Sequence, residues 1–238
     1  MKLLSWASTP NLTLSQDKSK YLLETSNHYN VPIELIGVGY NYRFLKDKIY
    51  ILKDYIQGLD NEELVICIDA FDTLINTPLT ALEEIFNSFN TEIVISSEQI
   101  FTYQWGHYKD KFDQITSPYR YVNSGTIMGK VKYLKKMIEE ILSYPELETT
   151  EIDQGLVGIW VYNNIDNPSK VKLDTECKIT WVVCGEWHIL KEISEHQDII
   201  LHPILHHQPP IIHVPGSQDK FNYSSYKSAY NNIIQRKI

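Results

Sequence analysis

The sequence predicts an α/β fold built on a central sheet, and three observations predict it. Strand-like and helix-like stretches alternate along the chain. Residues 64–68, Leu-Val-Ile-Cys-Ile, form a continuous apolar run, the pattern of a strand buried on both faces. Directly after that run stand Asp69 and Asp72, where an open sheet receives ligands, beyond the carboxyl ends of its strands. No repeat or low-complexity linker divides the 238 residues, and 43% are hydrophobic, so a single globular domain over 1–238 is expected.

The elements follow in order. Residues 3–7 read as a first buried strand and 18–27 as a helix. Residues 31–38 read as a second strand ending at Gly37 and Gly39. Residues 46–59 are helical, with Ile49, Leu52 and Ile56 on one face. After the central strand, Thr77-Pro78 predicts a helix start, a capping residue followed by proline at the first position. Leu82, Ile85, Phe86 and Phe89 supply that helix with an apolar face, and 92–96 is the next strand. Asn123-Ser124-Gly125 has the composition of an ordinary turn. Tyr133, Leu134, Met137, Ile138, Ile141 and Leu142 fall at helical spacing. Residues 150–162 open on Thr150-Glu151-Ile152-Asp153, a capping box with Asp in the place of Glu or Gln. The tail after Ile200 is rich in His and Pro and reads as loops and short strands.

Composition narrows the function. A net charge of -8 without a Lys/Arg run argues against nucleic acid as a partner. No stretch approaches the ~20 apolar residues of a membrane span, and the start is too short for a signal-peptide core. With three cysteines and no Cys-x-x-Cys pair, the expected setting is intracellular, cytoplasmic and reducing. The 16 Tyr and 5 Trp exceed the needs of a core, and surface aromatics suit sugars or bases, although most serve packing. The oligomeric state stays open, a homodimer included.

Asp69 and Asp72 carry the chemistry. Two carboxylates three apart on a turning backbone can converge on one hard cation, Mg²⁺ or Mn²⁺, that bridges protein to a diphosphate. The alternative is that Asp69 caps a turn and Asp72 is solvated. A phosphatase of the haloacid-dehalogenase type also places Asp-x-Asp-x-Thr-Leu after an apolar strand. Here Asp69-Ala70-Phe71-Asp72-Thr73-Leu74 spaces the pair one residue too far apart, which in a strand changes the face presented to the site. A zinc site from His202, His206 and His207 is a further alternative, but prolines flank them and no Cys pair joins them.

Several blocks together resemble one family, the glycosyltransferase domain at the N-terminus of procollagen lysyl hydroxylases. They are, in order, Leu35-Ile36-Gly37-Val38-Gly39, Lys48-Ile49-Tyr50-Ile51-Leu52-Lys53, Asp69-Ala70-Phe71-Asp72, and Tyr121-Val122-Asn123-Ser124-Gly125 with Gly129. Asp153-Gln154 and Ile211-Ile212-His213-Val214-Pro215-Gly216 complete the set. The likeness runs from about Leu3 to Lys220 and leaves no room for a hydroxylase domain, so a stand-alone transferase is expected. The sequence departs from the family where Val214 and Pro215 replace a glycine and an asparagine, and where the acidic run before Asp153 is reduced.

The resemblance implies a GT-A-type, Rossmann-like nucleotide-sugar glycosyltransferase fold, with a mixed central sheet flanked by helices. It implies Mn²⁺ held by Asp69, Asp72 and His213, with a UDP-sugar as donor. Lys48 would add charge at the phosphates, Phe71 and Tyr42 would flank the uracil, and Ser8, Val38 and Gly216 would lie along the nucleotide. Asn123 and Gln154 would contact the sugar, and Asp153 would orient the donor or an acceptor hydroxyl. The best-fitting reaction is retaining transfer of glucose from UDP-glucose to galactosyl-hydroxylysine of a collagen-like chain. Hydroxylysine or another glycan is an alternative acceptor, and a non-catalytic carbohydrate- or collagen-binding module is an alternative of another class.

Overall fold

A computed structural model of the chain describes residues 1–102, 108–216 and 220–236. Six strands form a mixed sheet in the order β2-β1-β3-β6-β5-β7: β1 (Lys2–Trp6), β2 (Glu34–Ile36), β3 (Leu64–Asp69), β5 (Ile93–Glu98), β6 (Tyr121–Lys130) and β7 (Val171–Asp174). Only β6 runs antiparallel to its neighbours β3 and β5. A second sheet has the order β4-β9-β8, from Thr73–Ile75, Ile211–His213 and Thr180–Val182.

The apolar run of β3 is buried on both faces, as its composition requires. Val65 and Cys67 pack in one core cluster, and Leu64, Ile66 and Ile68 in another, the division that a side-chain period of two dictates. Helices α3 (Asp47–Ile56), α6 (Val131–Leu142) and α7 (Asp153–Asn164) cover the first face. Helices α2 (Lys20–His28) and α4 (Leu82–Ser88) serve the other. A third cluster unites the small sheet with α8 (Trp187–His196) and α9 (Lys220–Gln235) through Trp181, Leu190, Tyr226 and Ile233. Among the described residues no helix is long and apolar enough to cross a membrane.

Several local expectations are corrected. Thr77-Pro78 does not start a helix; α4 begins at Leu82, because the chain first turns away from β4. The Thr150 capping box does not form either. Ile152 is the cap of α7, and the Thr150 hydroxyl oxygen instead accepts from the Ile152 N–H at 3.3 Å. Asn123-Ser124-Gly125 is no turn but part of the ten-residue strand β6, since backbone pairing overrides a turn-like composition. The tail holds a 16-residue helix, α9, and just past its end Arg236 donates to the Asn76 carbonyl at 2.8 Å. The first turn of the chain carries an additional helix, α1 (Leu12–Lys18), capped by the Asn11 side chain, which accepts from Leu14 N–H at 2.9 Å.

The side chains of two tail histidines, His202 and His207, are held by hydrogen bonds within the chain. His202 is fully buried, and its Nδ1 accepts from the N–H groups of Ile204 and Leu205 at 3.2 and 3.1 Å. His207 Nε2 donates to the Cys177 carbonyl at 2.9 Å. Among the described residues they make no metal cluster. Burial, with His207 and His206 nearby, holds the pKa of His202 down to about 4. Its folded value thus lies below its unfolded one, so the unfolded chain takes up the proton first as pH falls. Stability is expected to drop by about 3 kcal/mol between pH 6.5 and 4 from this group. Urea midpoints measured across that range should fall more steeply in the wild type than in His202→Gln; parallel curves would refute the assignment.

Candidate metal centre

Asp69 closes β3, and Asp72 sits three residues on, in the turn into β4. Strand β9 pairs antiparallel with β4, placing His213 opposite Thr73. The Val214 N–H donates to the Asp72 carbonyl at 2.8 Å and locks this register. Residues 141 apart in sequence thereby meet (213 minus 72). One ligand atom each from Asp69, Asp72 and His213 lie within 4.8 Å of one another.

His213 Nε2 is 3.3 Å from Asp72 Oδ1 and 3.6 Å from Asp69 Oδ2, yet it is buried without a hydrogen bond. A buried ring nitrogen aimed between two carboxylates, with no hydrogen bond of its own, fits a divalent cation held by N and O donors. Burial works against a charge on His213, but Asp72 and Asp69 outweigh it and raise its pKa above the ordinary value. The ring's other nitrogen, Nδ1, faces Asn123 Oδ1 at 3.2 Å.

Gly125 explains why the Asn-Ser-Gly segment ends in glycine. A Cβ there would stand 2.2 Å from His213 Cε1 and 2.5 Å from Nδ1. The absent side chain is the space that the imidazole occupies.

Lys48, on α3, lies between the half-buried carboxylate of Asp69 and the buried one of Asp153, with Nζ 2.5 Å from Asp69 Oδ1 and 3.8 Å from Asp153 Oδ2. Burial disfavours its charge, but Asp153 and Asp69 raise its pKa well above the ordinary lysine value. Burial likewise disfavours a charge on Asp69, and Lys48 and His213 overcome it and hold its carboxyl below the usual range. At Asp153, burial prevails over Lys48 and the pKa is raised. Gln154, in the first turn of α7, accepts from Ser124 N–H at 3.3 Å and donates to Glu98 at 2.8 Å and to Thr102 at 2.7 Å.

The remaining expected residues lie at the same end of the large sheet or beside it. Ser8 follows β1, and Val38 follows β2. Ser8 Oγ stands 3.0 Å from where a Gly37 Cβ would lie. Tyr42 packs against the core on the Lys48 side, and burial pushes its pKa up to about 12. Phe71 is half-buried between the two aspartates, with Lys18 Nζ 5.6 Å from its ring centroid. Gly216 takes a positive φ of 72° in the turn after β9.

Glu98 is a site residue that sequence reasoning missed. It ends β5, is 2% exposed, and accepts from Asn123 Nδ2 at 3.1 Å, Gln154 Nε2 at 2.8 Å and Thr102 Oγ1 at 3.0 Å. Burial raises its pKa against those three hydrogen bonds. Its signal was present, an acidic residue at the carboxyl end of the apolar stretch Ile93-Val94-Ile95, the same cue that singled out Asp69.

Comparison with known proteins agrees with this architecture. Mouse xyloside xylosyltransferase 1, in its apo form, superposes with a TM-score of 0.55 at 13% identity, over 92% of this chain and 98% of that one. Galactosyltransferase LgtC, solved with donor and acceptor sugar analogues, gives 0.55 at 14% identity, over 98% and 95%. A glycosyltransferase involved in glycosylation of the major capsid of PBCV-1 gives 0.53 at 14%, over 95% and 97%. These likenesses establish a GT-A fold. No match to the sequence is found among curated proteins. The family model described as PLOD GT domain matches residues 12–233. The chain therefore belongs to the PLOD GT domain family, the glycosyltransferase domain of procollagen lysyl hydroxylases, and is a glycosyltransferase of GT-A type.

Proposed function

We propose that the protein is a Mn²⁺-dependent transferase that moves glucose from UDP-glucose to galactosyl-hydroxylysine of a collagen-like chain, with retention of configuration. The observation that carries the reading is the convergence of Asp69, Asp72 and the otherwise unbonded His213 Nε2 in a member of this family. A divalent cation there would act as a Lewis acid on the departing diphosphate.

The chain's own residues supply the rest. Lys48 balances the charge of the half-buried Asp69 and the buried Asp153, so the two carboxylates persist side by side. Phe71 and Tyr42 offer ring faces for the uracil, with Ser8 and Val38 alongside. Gly216, in its left-handed turn, leaves backbone free to approach the diphosphate. Gln154 is held from both ends, and only the second lone pair of its Oε1 would remain to accept from a sugar hydroxyl.

The test is UDP release in the presence of Mn²⁺ and UDP-glucose, with and without a galactosylated collagen peptide. Release that requires the peptide supports the full assignment. Release with another acceptor alone moves the assignment there, and no release with any UDP-sugar from folded protein favours a binding module. Asp72→Ala is expected to abolish Mn²⁺-dependent UDP binding, read by calorimetry, while the circular dichroism spectrum stays unchanged. Undiminished UDP affinity in that variant would remove Asp72 from the site.

A further inference from the structure

Asn123 stands in a strand that reaches past the end of β3. Its residues 126–130 pair with β3, and the segment before them continues along β5 alone. Between Ile95 and Ser97 the pairing register shifts, and Ser96 Oγ fills the irregularity by donating to the Asn123 carbonyl at 2.8 Å. The Asn123 side chain is consequently fixed in a site only 3% exposed.

Every polar atom of that side chain is engaged within the protein. Oδ1 accepts from the Gly125 N–H at 2.9 Å and faces His213 Nδ1 at 3.2 Å. Nδ2 donates to Glu98 Oε2 at 3.1 Å. An ionised carboxylate only accepts, so Glu98 requires the NH₂ end of the amide. A backbone N–H only donates, so Gly125 requires the oxygen end. The two demands agree, and they leave an oxygen facing His213 Nδ1.

We infer that Asn123 is a positioning residue for the metal ligand His213. The relay Glu98–Asn123 sets its ring as the Nδ1–H tautomer, which leaves the Nε2 lone pair for a cation between Asp69 and Asp72. An imidazole whose Nδ1 donates to an oxygen acceptor carries its lone pair on Nε2. The unbonded Nε2 is where that lone pair emerges. This assigns the conformation of Asn123 to metal binding rather than to contact with the sugar, and it rests on the metal reading above.

The experiment has a spectroscopic arm. In ¹⁵N-labelled protein saturated with diamagnetic Mg²⁺, long-range ¹H–¹⁵N correlations report the ring tautomer. The Nδ1–H form is expected, and the Nε2–H form would overturn the relay. In the second arm, Mn²⁺ alone is titrated and read by electron paramagnetic resonance. Asn123→Leu should weaken Mn²⁺ binding about 10–100-fold and mix the two tautomers. Unchanged Mn²⁺ affinity, with only UDP-glucose binding weakened, would return Asn123 to the sugar.

A paired exchange guards against a variant that fails to fold. Asn123→Asp combined with Glu98→Gln keeps the total charge and every hydrogen bond, because the Gln amide donates to the new carboxylate. It should restore the wild-type range of Mn²⁺ affinity and the Nδ1–H form. A folded double variant that does neither would refute the relay. A wild type that binds no Mn²⁺ would overturn the metal reading; one that binds it while Asn123→Leu leaves the affinity unchanged would overturn the relay alone.

Discussion

Gly125→Ala is expected to cost the protein its metal affinity by about 10–100-fold, although it adds a single methyl group. The backbone of β6 is extended there, so alanine meets no conformational penalty of its own. The penalty is steric and local. The new Cβ would overlap His213 Cε1 at 2.2 Å and Nδ1 at 2.5 Å, and would crowd Asn123 Oδ1 at 2.9 Å. His213 has little room to retreat, because its side chain is 3% exposed and its strand is held between β4 and β8. Overpacking of this kind typically costs about 1–3 kcal/mol in stability. A ring displaced by an ångström no longer directs Nε2 between the carboxylates. Mn²⁺ titration of the folded variant checks the point, and wild-type affinity would mean that the strand absorbs the methyl group.

Lys48→Met is expected to have the largest effect on stability. It removes from between Asp69 and Asp153, whose side chains are 19% and 6% exposed, the ammonium that pairs with both. Taking one partner from a buried ion pair typically costs about 3–5 kcal/mol, because the remaining charge stays buried without compensation. The pH dependence follows from Asp69. Its folded pKa lies below the ordinary 3.8, so the stability it contributes is present above that value and is lost as pH falls through the depressed one. The gap between wild type and variant should therefore be full at neutral pH and close in acid. Denaturant unfolding in a chelating buffer at several pH values measures it. A gap that widens in acid would show that the pair contributes otherwise.

The two substitutions probe different parts of one arrangement. Gly125 provides the space that lets His213 reach the carboxylates, and Lys48 provides charge that keeps the half-buried Asp69 ionised. Neither residue binds the cation.

Local pattern was enough for much of the fold. The apolar run of β3 announced a strand buried on both faces, and the helical spacing of 133–142 announced α6, because these signals depend only on neighbours in sequence. Asp69 and Asp72 were legible for the same reason, as carboxylates beyond a buried strand. The resemblance of ordered motifs then pointed to His213. The failures share one cause. Asn123-Ser124-Gly125 has the composition of a turn and lies in a strand, because pairing with β5 outweighs local preference. Helix α9 escaped notice because the His and Pro before it suggested loops, while its apolar face is defined only by the cluster it meets around Trp181.

By itself, then, the sequence determined an α/β sheet with a carboxylate pair at the end of its central strand. Only the tertiary structure decided how that pair is completed. Pairing of β9 with β4 brings His213 beside Asp72, Gly125 leaves space for its ring, and Glu98 with Asn123 orients it. The physical reason is sequence distance. Propensity and periodicity act over a few residues, whereas these contacts join positions 25 (Glu98 and Asn123) to 141 (Asp72 and His213) residues apart, and only a folded sheet brings them within reach.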